Sequence, residues 1–257
     1  MEKNSVVKIL EGVVYWTIIL IPFSMAIAPA PMNILMGFLI AAFIFSKILK
    51  KEGIFPGTAI ELPILSLFVV TFISILHSIN LADSFRGGIG RLAQYAFVFF
   101  ALSAQLRDKR QIKRIIFSII LGLLLVSIDG FWQVFTGKDF IRGFEPMVLR
   151  DMVRATASFK DPNTFGVYLS ALSPLVLGLA LYYQKGLIKI LFILTSIIVL
   201  AGIALTYSRP TLLAVYIVLF CFSLIKKDRL LLVLLTVFIF LAPFIAPKTV
   251  KDWAREV

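Results

Sequence analysis

The stretch RATASFKDPNTFGVYLSALSPLVLGLALYY, Arg154 to Tyr183, passes from a short polar segment into a long, almost unbroken apolar run. Its Asp161-Pro162 pair marks a helix start. Proline at the first helical position gives up only an amide that has no partner, and aspartate caps the next free N–H groups. The apolar helix that follows, Thr164 to Tyr183, is long enough to cross a hydrocarbon core about 30 Å thick. Its free N-terminal amides form a weakly positive pole, with Arg154 and Lys160 just upstream, and such a pole with added cations attracts an anion.

Working outward, composition sets the class. Of 257 residues 60% are hydrophobic and the mean hydropathy is +0.98, against roughly 45–50% apolar residues in soluble domains. This pattern is that of an integral membrane protein. No polar stretch between the apolar runs is long enough to bury a core of its own. The first apolar run lacks a small-residue cleavage site after it and reads as a retained helix. Cys221, the only cysteine, lies in an apolar segment, so no intrachain disulfide is available.

Nine segments meet or approach spanning length, giving an all-α polytopic bundle in a single transmembrane domain, 1–257. They are 13–28, 32–45, 60–79, 89–104, 115–135, 164–183, 188–207, 210–225 and 230–246, with an external loop at 136–163; the second and fourth are short. With the N-terminus in the cytoplasm, 15 of the 26 cations fall inside, most densely between Arg107 and Arg114. That bias satisfies the positive-inside rule and places the C-terminus outside.

The two sides differ in kind. Eleven of the 15 inner cations are lysine, whereas Arg86, Arg91, Arg142, Arg150, Arg154, Arg209 and Arg255 make seven of the 11 outer ones. Arginine's planar fork matches phosphate oxygens, which lysine's point charge does not. The helices running from outside to inside begin at Pro31, among Gly87, Gly88 and Gly90, at Pro162 and at Pro210, and three of these starts carry arginine. A cation beside a helix N-terminus is electrostatically misplaced unless an anion binds there. The competing reading is that these arginines snorkel to lipid phosphates or pair with Asp83, Asp139, Glu145, Asp151 or Asp161.

Asp129, near the outer end of the fifth helix, calls for a partner or a wet cavity at that depth, with Arg209 or Arg154 as candidates. His77, the only histidine, reads as interfacial rather than as a catalytic base. No phosphate-binding Gly-rich loop, dinucleotide fingerprint or His/Cys metal cluster is present, and the cytoplasmic connections are too short for a nucleotide-sugar domain, so a donor arrives through the membrane. The scattered outer acids disfavour a metal-dependent reaction, and no cofactor is expected. Nucleic acid is disfavoured by the lack of a basic, aromatic-interleaved soluble surface; topology and anionic lipid account for the net charge of +12.

The segment Arg154-Ala-Thr-Ala-Ser-Phe-Lys-Asp-Pro-Asn163-Thr-Phe-Gly166 resembles the Arg-x-x-(Gly/Ala)-x-Phe-x-x-Pro-Asn-x-x-Gly signature of the O-antigen ligase and polymerase superfamily. Leu205-Thr-Tyr-Ser-Arg209 resembles its second signature, one helical hairpin later. The resemblance implies a bacterial cytoplasmic-membrane glycosyltransferase acting at the outer face. It would move a glycan from a polyprenyl diphosphate carrier to lipid A core, or, in the polymerases, to another carrier-linked repeat. Carried over by position, Arg154 and Arg209 are the expected catalytic arginines on the diphosphate, with Lys160 and Asn163 as further substrate-binding residues and no metal; Arg86 and Arg91 are added to the substrate-binding set from charge and position alone. The family continues into a large external loop bearing a histidine. Here the sequence ends near where that loop would begin, and His77 does not match, so the expectation is a fragment of a longer protein or a carrier-binding member without catalysis. A flippase or permease for a lipid-linked or anionic solute, and a membrane scaffold, are the other classes considered.

Overall fold

A computed structural model describes residues 2–55, 57–106, 108–149, 152–183 and 185–227. The described residues are mostly helical, and six helices are long and apolar enough to cross a membrane. The chain is a multi-pass membrane protein. It divides into two compact units, one ending at Ile119 and the other beginning at Ile120.

In the first unit, α1 (Glu2–Ile27) and α2 (Pro29–Lys50) form a hairpin. Ala28 is extended, and Pro29 and Pro31 occupy the first turn of α2, where missing amides cost nothing. Lys51 closes α2 in the left-handed region, donating its N–H to Ile48 and Lys47 carbonyls, with Lys47 and Lys50 against the negative pole. Val14, Ile18, Leu39 and Phe43 pack with Ala96 and Phe100 as the core of this unit. Helix α3 (Glu61–Ile75) turns Leu62, Leu67, Val70 and Ile73 outward, a surface suited to lipid. Next come α4 (Leu81–Ser84), a π-helical turn (Phe85–Gly90) and α5 (Arg91–Gln105).

In the second unit, α6 (Lys109–Thr136), whose last 17 residues belong here, leads to a loop with a two-stranded antiparallel sheet, β1 (Met147–Leu149) and β2 (Met152–Arg154). Then follow α7 (Pro162–Tyr182), α8 (Leu187–Leu205) and α9 (Arg209–Lys226). Glycines allow the close approaches that hold it together. A Cβ at Gly130 would meet the Phe165 ring at 2.9 Å, and one at Gly202 would meet Leu169 at 3.2 Å and Ser127 Oγ at 3.5 Å.

Eight of the nine expected segments coincide with helices; the ninth, 230–246, lies outside the described residues, as does Arg150. Three expectations change. The second helix is not short but 22 residues, because its prolines sit at its start rather than ahead of it. The third stops at Ile75, since residues 76–80 turn into the Asn80 cap. The glycines at 87–90 do not begin a helix. Asn80 does, its side chain accepting from the Asp83 amide, and the glycines are absorbed in the π turn that runs directly into α5. Arg86 and Arg91 therefore lie inside a helical run instead of at its positive pole.

Candidate functional site

The second unit gathers the starts of α7 and α9 around the end of α8. Asp161 caps α7, its carboxylate accepting from the Thr164 amide at 2.7 Å and the Thr164 hydroxyl at 3.0 Å, with Pro162 at the first helical position. Helix α8 ends at Leu205; Tyr207 takes a left-handed φ of 47° and Ser208 is extended, turning the chain sharply so that α9 starts at Arg209 and Pro210. Gly166 fits against this turn: a Cβ there would lie 2.6 Å from Thr211 Oγ1 and 3.2 Å from Thr206 Oγ1. Only glycine permits so close an approach, and it holds the two helix starts side by side.

Arg154, at the end of β2, occupies the junction. It is 8% exposed. Its Nε donates to the Thr206 carbonyl at 2.9 Å and its guanidinium donates to Asn163 Oδ1 at 3.2 Å. One residue on, the Ala155 amide donates to the Leu205 carbonyl at 2.9 Å. The strand end thus satisfies carbonyls that the last turn of α8 leaves without helical partners. Burial lowers the Arg154 pKa, the Asp161 carboxylate raises it, and the nearby Arg209 charge lowers it again. Two guanidinium groups thus feel each other beside two helix N-termini. A multiply charged anion is the ligand that such a field favours, since it relieves the cation–cation repulsion beside the positive poles of two helices.

The remaining expected residues are distributed differently. Asn163 joins Arg154 directly. Lys160 does not; with Arg142 it lies over the Phe144 ring, at 5.6 Å and 4.3 Å from the ring centroid, and Arg142 also donates to the Ser158 carbonyl at 3.0 Å. Arg86 and Arg91 belong to the first unit, where both are exposed. Asp129 is not the partner of Arg154: its Oδ1 accepts from the Phe140 amide at 2.8 Å, and its buried Oδ2 has no hydrogen-bond partner among the described residues. Of the acids considered as partners for arginine, Asp139 instead accepts from the Arg142 amide at 2.5 Å and from the Phe144 amide, and Glu145 pairs with Lys138 at 3.6 Å.

No family model, curated protein or solved structure matches the chain.

Gln133 is the neighbour that sequence reading passes over. It is fully buried, and all four of its hydrogen-bonding positions are filled. Its amide nitrogen donates to the Phe144 carbonyl at 3.1 Å and Thr156 Oγ1 at 2.9 Å, and its oxygen accepts from the Thr156 amide at 2.8 Å and the Ala157 amide at 2.9 Å. A signal existed: Asp129 and Gln133 stand one turn apart on an apolar helix and so share a face, the spacing of two polar groups serving one structure. Thr206 and Ser208 were marked by the second signature; Thr211, which completes the α8–α9 turn with a Thr211-to-Ser208 hydroxyl bond of 2.9 Å, carried no comparable signal.

Proposed function

We propose that this chain is the diphosphate-gripping membrane domain of a glycosyltransferase of the O-antigen ligase type. It moves a glycan from a polyprenyl diphosphate to lipid A core at the outer face of the bacterial cytoplasmic membrane. The observation that carries this reading is the buried Arg154, set between the starts of α7 and α9 and within the field of Arg209. In the reaction an acceptor hydroxyl oxygen attacks the anomeric carbon of the carrier-linked sugar and gives up its proton to water at the outer face. The bond from that carbon to the diphosphate breaks, and the electron pair leaves with the polyprenyl diphosphate. Charge grows on the leaving oxygens, and guanidinium groups already fixed in place stabilise it without reorganisation. Removing one such donor costs about 10²–10³ in kcat.

The test is transfer from a purified lipid-linked glycan, assayed with wild type, Arg154→Ala and Arg209→Ala. Loss of about two orders of magnitude in each variant, with the protein still folded, supports the reading. Full transfer by both variants removes these residues from the mechanism. Movement of the lipid-linked glycan across the bilayer without transfer would identify a flippase instead.

A further inference from the structure

We infer that Gln133 is a positioning residue for the diphosphate site, holding the Arg154 segment in register from α6; this rests on the glycan-transfer reading of Arg154. The chain around Arg154 is gripped from two sides. On one, the Arg154 side chain and the Ala155 amide hold the Thr206 and Leu205 carbonyls at the end of α8. On the other, the Gln133 carboxamide takes the amides of Thr156 and Ala157 on one oxygen and ties Thr156 Oγ1 and the Phe144 carbonyl with its nitrogen. Four consecutive residues, 154–157, are thereby fixed between two helices.

The second grip sits at the entry to a turn. Ala157 adopts φ 46° as the second residue of a turn closed by the Phe159 amide, which donates to the Thr156 carbonyl at 3.0 Å. The Gln133 oxygen takes the two successive amides, of Thr156 and Ala157, that lead into this turn. Thr156 and Ala157 are almost fully buried, at 1% and 0% exposure. Without the carboxamide their amides would have no water to turn to, and the segment would relax toward an extended form. Arg154, two residues upstream, would keep only the α8 grip, and its free guanidinium edge would lose its fixed aim. Other side chains cannot substitute. Asparagine is one methylene short, leucine fills the volume and satisfies nothing, and glutamate keeps the two acceptor bonds but loses both donors.

The test is a binding cycle on the full chain in lipid nanodiscs, with farnesyl diphosphate as probe. Wild type, Gln133→Ala, Arg154→Ala and the double variant are titrated. Gln133→Ala is expected to weaken binding on the order of tenfold in the wild-type background, the coupling expected within one hydrogen-bond network, and by less than about twofold when Arg154 is already alanine. An equal loss in both Arg154 backgrounds, or unchanged binding by Gln133→Ala, overturns the positioning role while leaving the diphosphate reading intact. Wild-type binding that is absent, or unaltered by Arg154→Ala, overturns both. Should Gln133→Ala fail to fold, Gln133→Met, which keeps the side-chain length and loses all four hydrogen bonds, carries the same cycle with the same outcomes.

Discussion

Gly166→Ala tests the packing on which the candidate site depends. The added Cβ would lie 2.6 Å from Thr211 Oγ1, 3.1 Å from Thr211 Cγ2 and 3.2 Å from Thr206 Oγ1, where relaxed contacts lie at about 3.5–4.0 Å. Neither threonine swings away freely, since Thr211 Oγ1 donates to Ser208 at 2.9 Å and Thr206 Oγ1 to the Ile203 carbonyl at 2.7 Å. Helix α7 must therefore shift away from the α8–α9 turn, an overpacking that costs about 1–3 kcal/mol. The shift also parts Asn163 from Thr206, the two residues that Arg154 joins. Thermal unfolding in nanodiscs reads the first effect, and farnesyl diphosphate titration reads the second. Thr211→Ala deletes the two closest atoms, so the double variant should recover about 1 kcal/mol or more relative to the sum of the singles. Gly12→Ala is the control: nothing lies within 4 Å of its Cβ, and a helical glycine replaced by alanine gains roughly 0.5–1 kcal/mol. A Gly166→Ala protein as stable as wild type, or one that Thr211→Ala does not repair, would refute the close approach of α7 to the α9 start.

Asp161→Ala removes the α7 cap and should cost about 1 kcal/mol by thermal unfolding, whereas Asp161→Asn keeps a capping oxygen and should cost less. Arg209→Lys preserves charge but not the planar fork, so transfer should fall markedly. Addition of EDTA should leave the transfer rate unchanged, because arginines supply the charge stabilisation in the proposed reaction.

The elements were legible where apolar runs and punctuation agreed. Asp161-Pro162 and Ser208-Arg209-Pro210 lie at helix starts as their chemistry requires, and the long runs of α1, α7 and α8 follow from hydropathy alone. The glycines at 87, 88 and 90 misled because glycine signals a break only where no neighbour stabilises the helix, and Asn80, an ordinary N-cap with Asp83 three residues on, had already begun one. Arg154 and Asn163 lie nine residues apart in one quoted segment, although no bond between them was expected; the Arg154 bond to Thr206 spans 52 residues and depends on how the α7–α8 hairpin closes, which no local pattern encodes. Asp129 was singled out as an acid needing a partner, but the Phe140 backbone amide meets only its Oδ1, and the type of partner is not written in the residue itself. Lys160 shows the same limit. Its place before a helix start says nothing of the Phe144 ring, 16 residues upstream, over which its ammonium lies.

The most direct measurement of the central claim is an experimental structure of the chain in nanodiscs with a polyprenyl diphosphate bound. The account predicts phosphate oxygens within about 2.7–2.9 Å of guanidinium nitrogens of both Arg154 and Arg209, against the starts of α7 and α9. A diphosphate seated elsewhere, with Arg154 still engaged only by Thr206 and Asn163, would contradict it.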